Sequence, residues 1–95
     1  MADTQETAIV TGASQGIGAG LVEAFLKRGY SVVANSRNIT KANRLQASAN
    51  LALIDGDIAD PNTAAQIVDA AGSRFGRIDV LVNNAGIYLI GRAHV

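Results

Sequence analysis

Three glycines in one short stretch carry the first recognisable chemistry. Residues 11–18 read Thr-Gly-Ala-Ser-Gln-Gly-Ile-Gly. Just upstream, Thr7-Ala8-Ile9-Val10 is apolar and partly β-branched, as a buried strand is. Just downstream, Ile17, Leu21, Ala24 and Phe25 recur at the spacing of one helix face. The glycines therefore occupy a strand–turn–helix junction. A helix N-terminus presents unpaired N–H groups and a partial positive charge. A phosphate can settle there where no Cβ blocks its approach, and Gly12, Gly16 and Gly18 remove Cβ at three points. The candidate contact set of this turn is Gly12, Ser14, Gln15, Gly16, Ile17 and Gly18. A glycine-rich turn with no ligand is the plain alternative. A second chemical signal lies at Asn35-Ser36-Arg37. Dinucleotide sites that read a free ribose 2′-hydroxyl place an Asp or Glu about 20 residues beyond the glycines. Here Ser36 stands in that place and Arg37 follows. A guanidinium pairs bidentately with phosphate, so the pair predicts NADP rather than NAD. A solvated Arg in a turn is the alternative reading.

The elements that must position these residues alternate in type. Lys27-Arg28-Gly29 ends the first helix, with cations near the negative end of its dipole and Gly as the breaker. Tyr30 to Asn35 reads as the second strand, Thr40 to Ser48 as a short helix with Ala42, Leu45 and Ala49 inward, and Leu51 to Ile54 as the third strand. Asp60-Pro61 opens the clearest helix, with Asp60 as N-cap and Pro61 in the first turn. Its predicted buried stripe is Ala64, Val68, Ala71 and Phe75, supported by Ile67, and Gly76 stops it. Ile78 to Val82 is the fourth strand. The order β-α-β-α-β-α-β predicts an α/β fold, a Rossmann-like parallel sheet with helices on both faces and strand order 3-2-1-4. The expected organisation is a single, partial nucleotide-binding domain over residues 1–95, read as truncated. Ligands of such sheets bind at the carboxyl ends of the strands, beside the point where strand order reverses. That point falls between strands 1 and 4, whose ends carry Gly12 and Asn83.

The glycine spacing G-x-x-x-G-x-G, with Thr before the first Gly and Ile between the last two, resembles the short-chain dehydrogenase/reductase family. The segment from Phe75 to Gly86, Phe-Gly-Arg-Ile-Asp-Val-Leu-Val-Asn-Asn-Ala-Gly, is similar to the family throughout, and the likeness runs from about Thr7 to Ile87. The resemblance implies hydride transfer between a nicotinamide cofactor and a carbonyl or alcohol. It implies that Asp57 lies near the adenine amino group and Ile58 near its ring. It also implies that Asn83-Asn84-Ala85-Gly86 closes strand 4, supports the sheet through Asn hydrogen bonds and lines the cofactor ribose. Gln15 departs from the basic residue that many NADP-preferring relatives carry there.

The family's Tyr-x-x-x-Lys pair, the Ser before it and the Asn of the following helix have no counterpart in this sequence. Tyr30 is followed at that spacing by Ala34, and Tyr88 by Arg92. His94 is a lone tail residue. No catalytic residue is therefore assigned, and the chain alone is expected to be inactive. The tail from Tyr88 to Val95 departs from the family, so the sequence reads as a truncated or frameshifted product or a fragment. A stand-alone nucleotide-binding or regulatory module, or a non-functional remnant, are the other readings.

Composition bounds these readings. The 95 residues are 48% hydrophobic and 17% charged, the balance of a globular chain. Eight basic residues offset eight acidic ones with no basic stripe, so nucleic acid is not an expected partner. Cysteine is absent, which fits a reducing compartment. The polar N-terminus is no signal peptide and no apolar run approaches a membrane span, so the expected location is cytoplasmic with no membrane partner. No metal site is predicted. The open edge of strand 4 predicts self-association.

Overall fold

Alternation along the strands settles which way each residue faces. The computed structural model describes residues 5–13, 16–42 and 45–84. Its strands are β1 (Thr7–Thr11), β2 (Ser31–Ser36), β3 (Leu51–Asp55) and β4 (Val80–Asn83), parallel and in the order β3-β2-β1-β4. Helices α1 (Gly16–Lys27), α2 (Ile39–Ala42) and α3 (Pro61–Ala70) connect them, and α3 runs on into a π-helical turn over Ala71–Phe75. This is the Rossmann-like α/β topology that the element order predicts.

Val10, Val32, Ala34 and Leu51 face one side of the sheet, where they pack with Val22 of α1 and Ile39 of α2. Ile9, Val33 and Ala52 face the other, against Ile67 of α3 and Ala71 of the π turn. Period-two alternation sends neighbouring residues to opposite faces, and a sheet covered on both needs apolar residues at both parities. That is why β1 to β3 each carry consecutive apolar residues, Ala8 to Val10, Val32 to Ala34 and Leu51 to Ile54.

Both long helices sit rotated from their predicted stripes. In α1 the buried residues are Gly18, Ala19 and Val22, with Leu21 and Phe25 half-buried; Ile17 is 74% exposed and Ala24 is also outward. In α3 the buried pair is Thr63 and Ile67, followed by Ala71 of the π turn, and Val68 is 56% exposed. Each helix has an apolar arc wider than one sheet face can cover, and periodicity alone does not choose which row turns inward.

The second helix departs from expectation in length. It begins at Ile39 and spans four residues rather than Thr40 to Ser48. Thr40 anchors it, its N–H and hydroxyl both donating to Asp55 at 3.0 and 2.6 Å. These bonds hold the Asp55 carboxyl below its ordinary range. Leu45 is buried as predicted, but Ala49 is exposed in the turn that bridges Ser48 to Leu51.

The last helix begins and ends where the sequence places it. The Asp60 carboxylate accepts the Asn62 N–H at 2.9 Å, Pro61 is the first helical residue, and Gly76 closes the π turn at φ 81°. β4 starts at Val80 rather than Ile78. Ahead of it, Asp79 exchanges bonds with Thr7, its N–H donating to the Thr7 carbonyl and its carboxylate accepting the Thr7 N–H, both at 2.9 Å.

Candidate nucleotide-binding site

The parallel register brings four strand ends level. Thr11 pairs with Asn35 on one side and Asn83 on the other, and Ser36 pairs with Asp55. The ends of β1, β2 and β3 and the turns that follow them line an open cavity of about 350 Å³. Its lining includes Gly12, Ser36, Arg37, Asp57 and Ile58, so residues from three predicted stretches converge on one space. A cavity of this size falls at the low end of those that hold small ligands.

The glycine turn is built from two different requirements. Gly12 and Gly16 adopt φ of 63° and 61°, a left-handed conformation that a Cβ disfavours. Gly18 serves packing instead: a Cβ there would run into the Gly12 carbonyl oxygen and lie 2.9 Å from the Ala13 Cα. Gly18 thus meets a packing requirement of the turn itself, which the sequence reading did not include beside its predicted place in the phosphate contact set. The first turn of α1 is open, with Gly16 and Ile17 exposed. Ser14 and Gln15 lie outside the described residues.

Buried Asn35 holds the cavity together, a role that the sequence reading missed. Its side-chain NH₂ donates to the carbonyls of Ile54 at 2.9 Å and Gly56 at 3.1 Å. Its backbone carbonyl accepts the Ala13 N–H at 2.9 Å. One residue thus ties the end of β2 to both the glycine turn and the turn after β3. An Asn inside an otherwise apolar strand is the signal that could have found it, because a buried amide requires partners.

The predicted ribose end is mixed in character. Ser36 Oγ is buried and has no hydrogen-bond partner among the described residues. Arg37 is exposed at the cavity mouth and its guanidinium lies 3.5 Å from the Asp57 carboxylate. The other oxygen of Asp57 accepts the Ala59 N–H at 2.9 Å. Ile58 is half-buried and lines the cavity while packing on the α3 side of the core.

Asn83 and Asn84 brace the site from β4. The Thr11 hydroxyl donates to the Asn83 side-chain oxygen at 2.9 Å, and the Asn84 NH₂ donates to the Gly12 carbonyl at 3.1 Å. Neither lines the cavity described above. Ala85 and Gly86 lie outside the described residues.

This geometry coincides with a clear kinship. A family model for the short chain dehydrogenases matches residues 6–94. The chain belongs to that family. This short-chain dehydrogenase chain is 37% identical over 92 residues to the oxidoreductase UcpA of Escherichia coli, covering 93% of this chain and 35% of UcpA. Among solved structures it matches YwfH, an NADPH-dependent reductase of bacilysin biosynthesis, at 38% identity and a TM-score of 0.70, over 85% of this chain and 37% of that one. It also matches a 3-ketoacyl-(acyl-carrier-protein) reductase from Brucella melitensis complexed with NADH, at 32% identity and a TM-score of 0.72, over 80% and 32% of the two chains. The chain spans about a third of the length of the curated relatives it matches. Among the described residues, no helix is long and apolar enough to cross a membrane, and no cluster of His, Cys, Asp and Glu could hold a metal.

Proposed function

We propose that this short-chain dehydrogenase chain is the NADP(H)-binding half of an oxidoreductase. The observation that carries the proposal is the pair at the end of β2, where Ser36 and Arg37 stand at the cavity mouth in place of an acid. The residues present fit a phosphorylated ribose. The Ser36 hydroxyl, buried and without a partner among the described residues, becomes useful on turning toward a ligand, and the Arg37 fork suits a 2′-phosphate. The two solved structures named above differ in nucleotide, one NADPH-dependent and one complexed with NADH, so kinship alone does not choose between cofactors.

In this reading the open first turn of α1 receives the pyrophosphate, with Gly12 and Gly16 shaping the turn before it. Asp57 and Ile58 border the adenine, and Asn83 and Asn84 hold the glycine turn at a fixed height over the sheet. A bound nicotinamide supplies the hydride, and this chain supplies its orientation. No residue is assigned as the general acid. Tyr30 stands before the first residue of β2, at the far end of that strand from the cavity. We therefore infer that the chain binds cofactor without turnover, and that the β4 edge, unpaired among the described residues, favours self-association.

Calorimetric titration with NADPH and NADH tests the reading. NADPH should bind tighter, and Arg37→Ala should lose about ten- to hundredfold in NADPH affinity, from charge-assisted bonds of about 1.5–3 kcal/mol. A preference for NADH in the unmodified chain would overturn the assignment.

A further inference from the structure

We propose that Asp57 restrains Arg37, and so limits how strongly this site favours a 2′-phosphate. The inference rests on the nucleotide-binding reading above and adds to it a residue that sets specificity.

The two partners are held very differently. Asp57 is fixed by its own turn: one carboxylate oxygen accepts the Ala59 N–H at 2.9 Å, and its backbone carbonyl accepts the Asp60 N–H at 2.9 Å. That turn is in turn fixed to β2, because the Gly56 N–H donates to the Ser36 carbonyl at 3.0 Å and Asn35 donates to the Gly56 carbonyl. Among the described residues the Arg37 guanidinium reaches only the Asp57 carboxylate, and its side chain is 81% exposed against 48% for Asp57. The carboxylate is thus a fixed post, and the guanidinium is a long arm leaning on it at 3.5 Å.

An exposed pair of this kind is weak, so a competing anion can open it. A ribose 2′-phosphate is such an anion. To use the Arg37 fork it must replace the carboxylate or sit beside it, and in the second case two like charges share one cation. A nucleotide without a 2′-phosphate leaves the pair intact. Asp57 therefore subtracts from the preference that Ser36 and Arg37 create, while the same carboxylate remains beside the adenine. Asp57→Asn releases the restraint: the amide oxygen can still accept the Ala59 N–H, while the oxygen that faces Arg37 becomes an uncharged NH₂ that cannot pair with a guanidinium.

The test compares adenosine 2′,5′-bisphosphate with adenosine 5′-monophosphate by calorimetry on four proteins: the unmodified chain, Asp57→Asn, Arg37→Ala and the double variant. The quantity read is the ratio of the two affinities, in which any change in adenine contact cancels. Asp57→Asn should raise the ratio in favour of the bisphosphate by about three- to tenfold. In the Arg37→Ala background the same change should move it less than about twofold, because the restraint acts through Arg37. A ratio that Asp57→Asn leaves unchanged or lowers overturns the inference while leaving the binding reading intact. A gain that persists in full without Arg37 overturns it too, since Asp57 would then be repelling phosphate directly. If neither nucleotide binds to any of the four proteins, the binding reading fails and the inference with it.

Discussion

At the scale of single residues, Gly18 and Gly20 stand two positions apart on α1 and should respond to alanine in opposite ways. A Cβ at Gly18 would meet backbone atoms of Gly12 and Ala13, which cannot swing aside as a side chain can. Gly18→Ala should destabilise the fold by about 1–3 kcal/mol, the usual range for forcing atoms into a packed interior. Gly20 has nothing near its missing Cβ, so Gly20→Ala should stabilise by about 0.5–1 kcal/mol through the helix propensity of alanine. Urea midpoints measured side by side check both; a neutral Gly18→Ala would mean that the turn can back away from the helix. Asp79 offers a second residue-scale test. Hydrogen bonds first from Arg77 and then from the Thr7 N–H hold its carboxyl below its ordinary 3.8. A folded value below the unfolded one contributes stability above about pH 4 that is lost as pH falls through the lowered value. Asp79→Asn should flatten the acid side of a stability profile taken from pH 6 to pH 2, and an unchanged acid limb would rule the contribution out.

At the scale of elements, the cap of α3 is open to direct test. Asp60→Ala removes the bond to Asn62 and should cost about 1 kcal/mol, read as a fall in urea midpoint. That cap was legible in the sequence, because Asp before Pro has a local cause that needs no knowledge of the rest of the fold. The strands and their order were legible for a related reason: short apolar runs between helices leave few topologies open. The rotation of the helices was not. Ile17 and Val68 belong to the apolar arcs of α1 and α3, and only the position of the sheet decides that Val22 turns inward in α1 and that Ile67, the supporting residue of the predicted stripe, turns inward ahead of Val68 in α3. The anchoring of α2 was hidden likewise, since the bonds from Thr40 to Asp55 join residues on different elements. Within the site, the glycine turn and Arg37 were visible by type and spacing. Asn35 was passed over because its partners, Ile54 and Gly56, come from the next strand and turn.

For the whole molecule, the uneven treatment of the two sheet edges matters most. At one edge β3 is flanked by the turn that Ser48 and Leu51 bridge, and the Arg74 guanidinium donates to the Ser48 carbonyl at 3.0 Å. At the other, β4 carries Leu81 at 66% exposure, and Leu81, Ile78 and Val68 together wall an apolar groove that reaches Ile9 and Ile67. Grooves and edges of this kind promote pairing with further chains. Leu81→Lys should shift the sedimentation profile toward monomer by placing a charge on that face. If the profile is concentration-independent before and after the substitution, association does not run through β4.

The bonds from β4 to the glycine turn also have a consequence for how the chain comes into being. Thr11 meets Asn83, and Gly12 meets Asn84, across 72 positions of sequence. During synthesis the glycine turn leaves the ribosome early, yet the strand that braces it is among the last of the described segments to emerge. Non-local pairings of this sort form slowly, and domains form vectorially as the chain lengthens. Until residue 84 is out, β1 has a neighbour on only one side and the turn lacks two of its fastenings. The earliest chemistry written in the sequence is thus among the latest to acquire its shape.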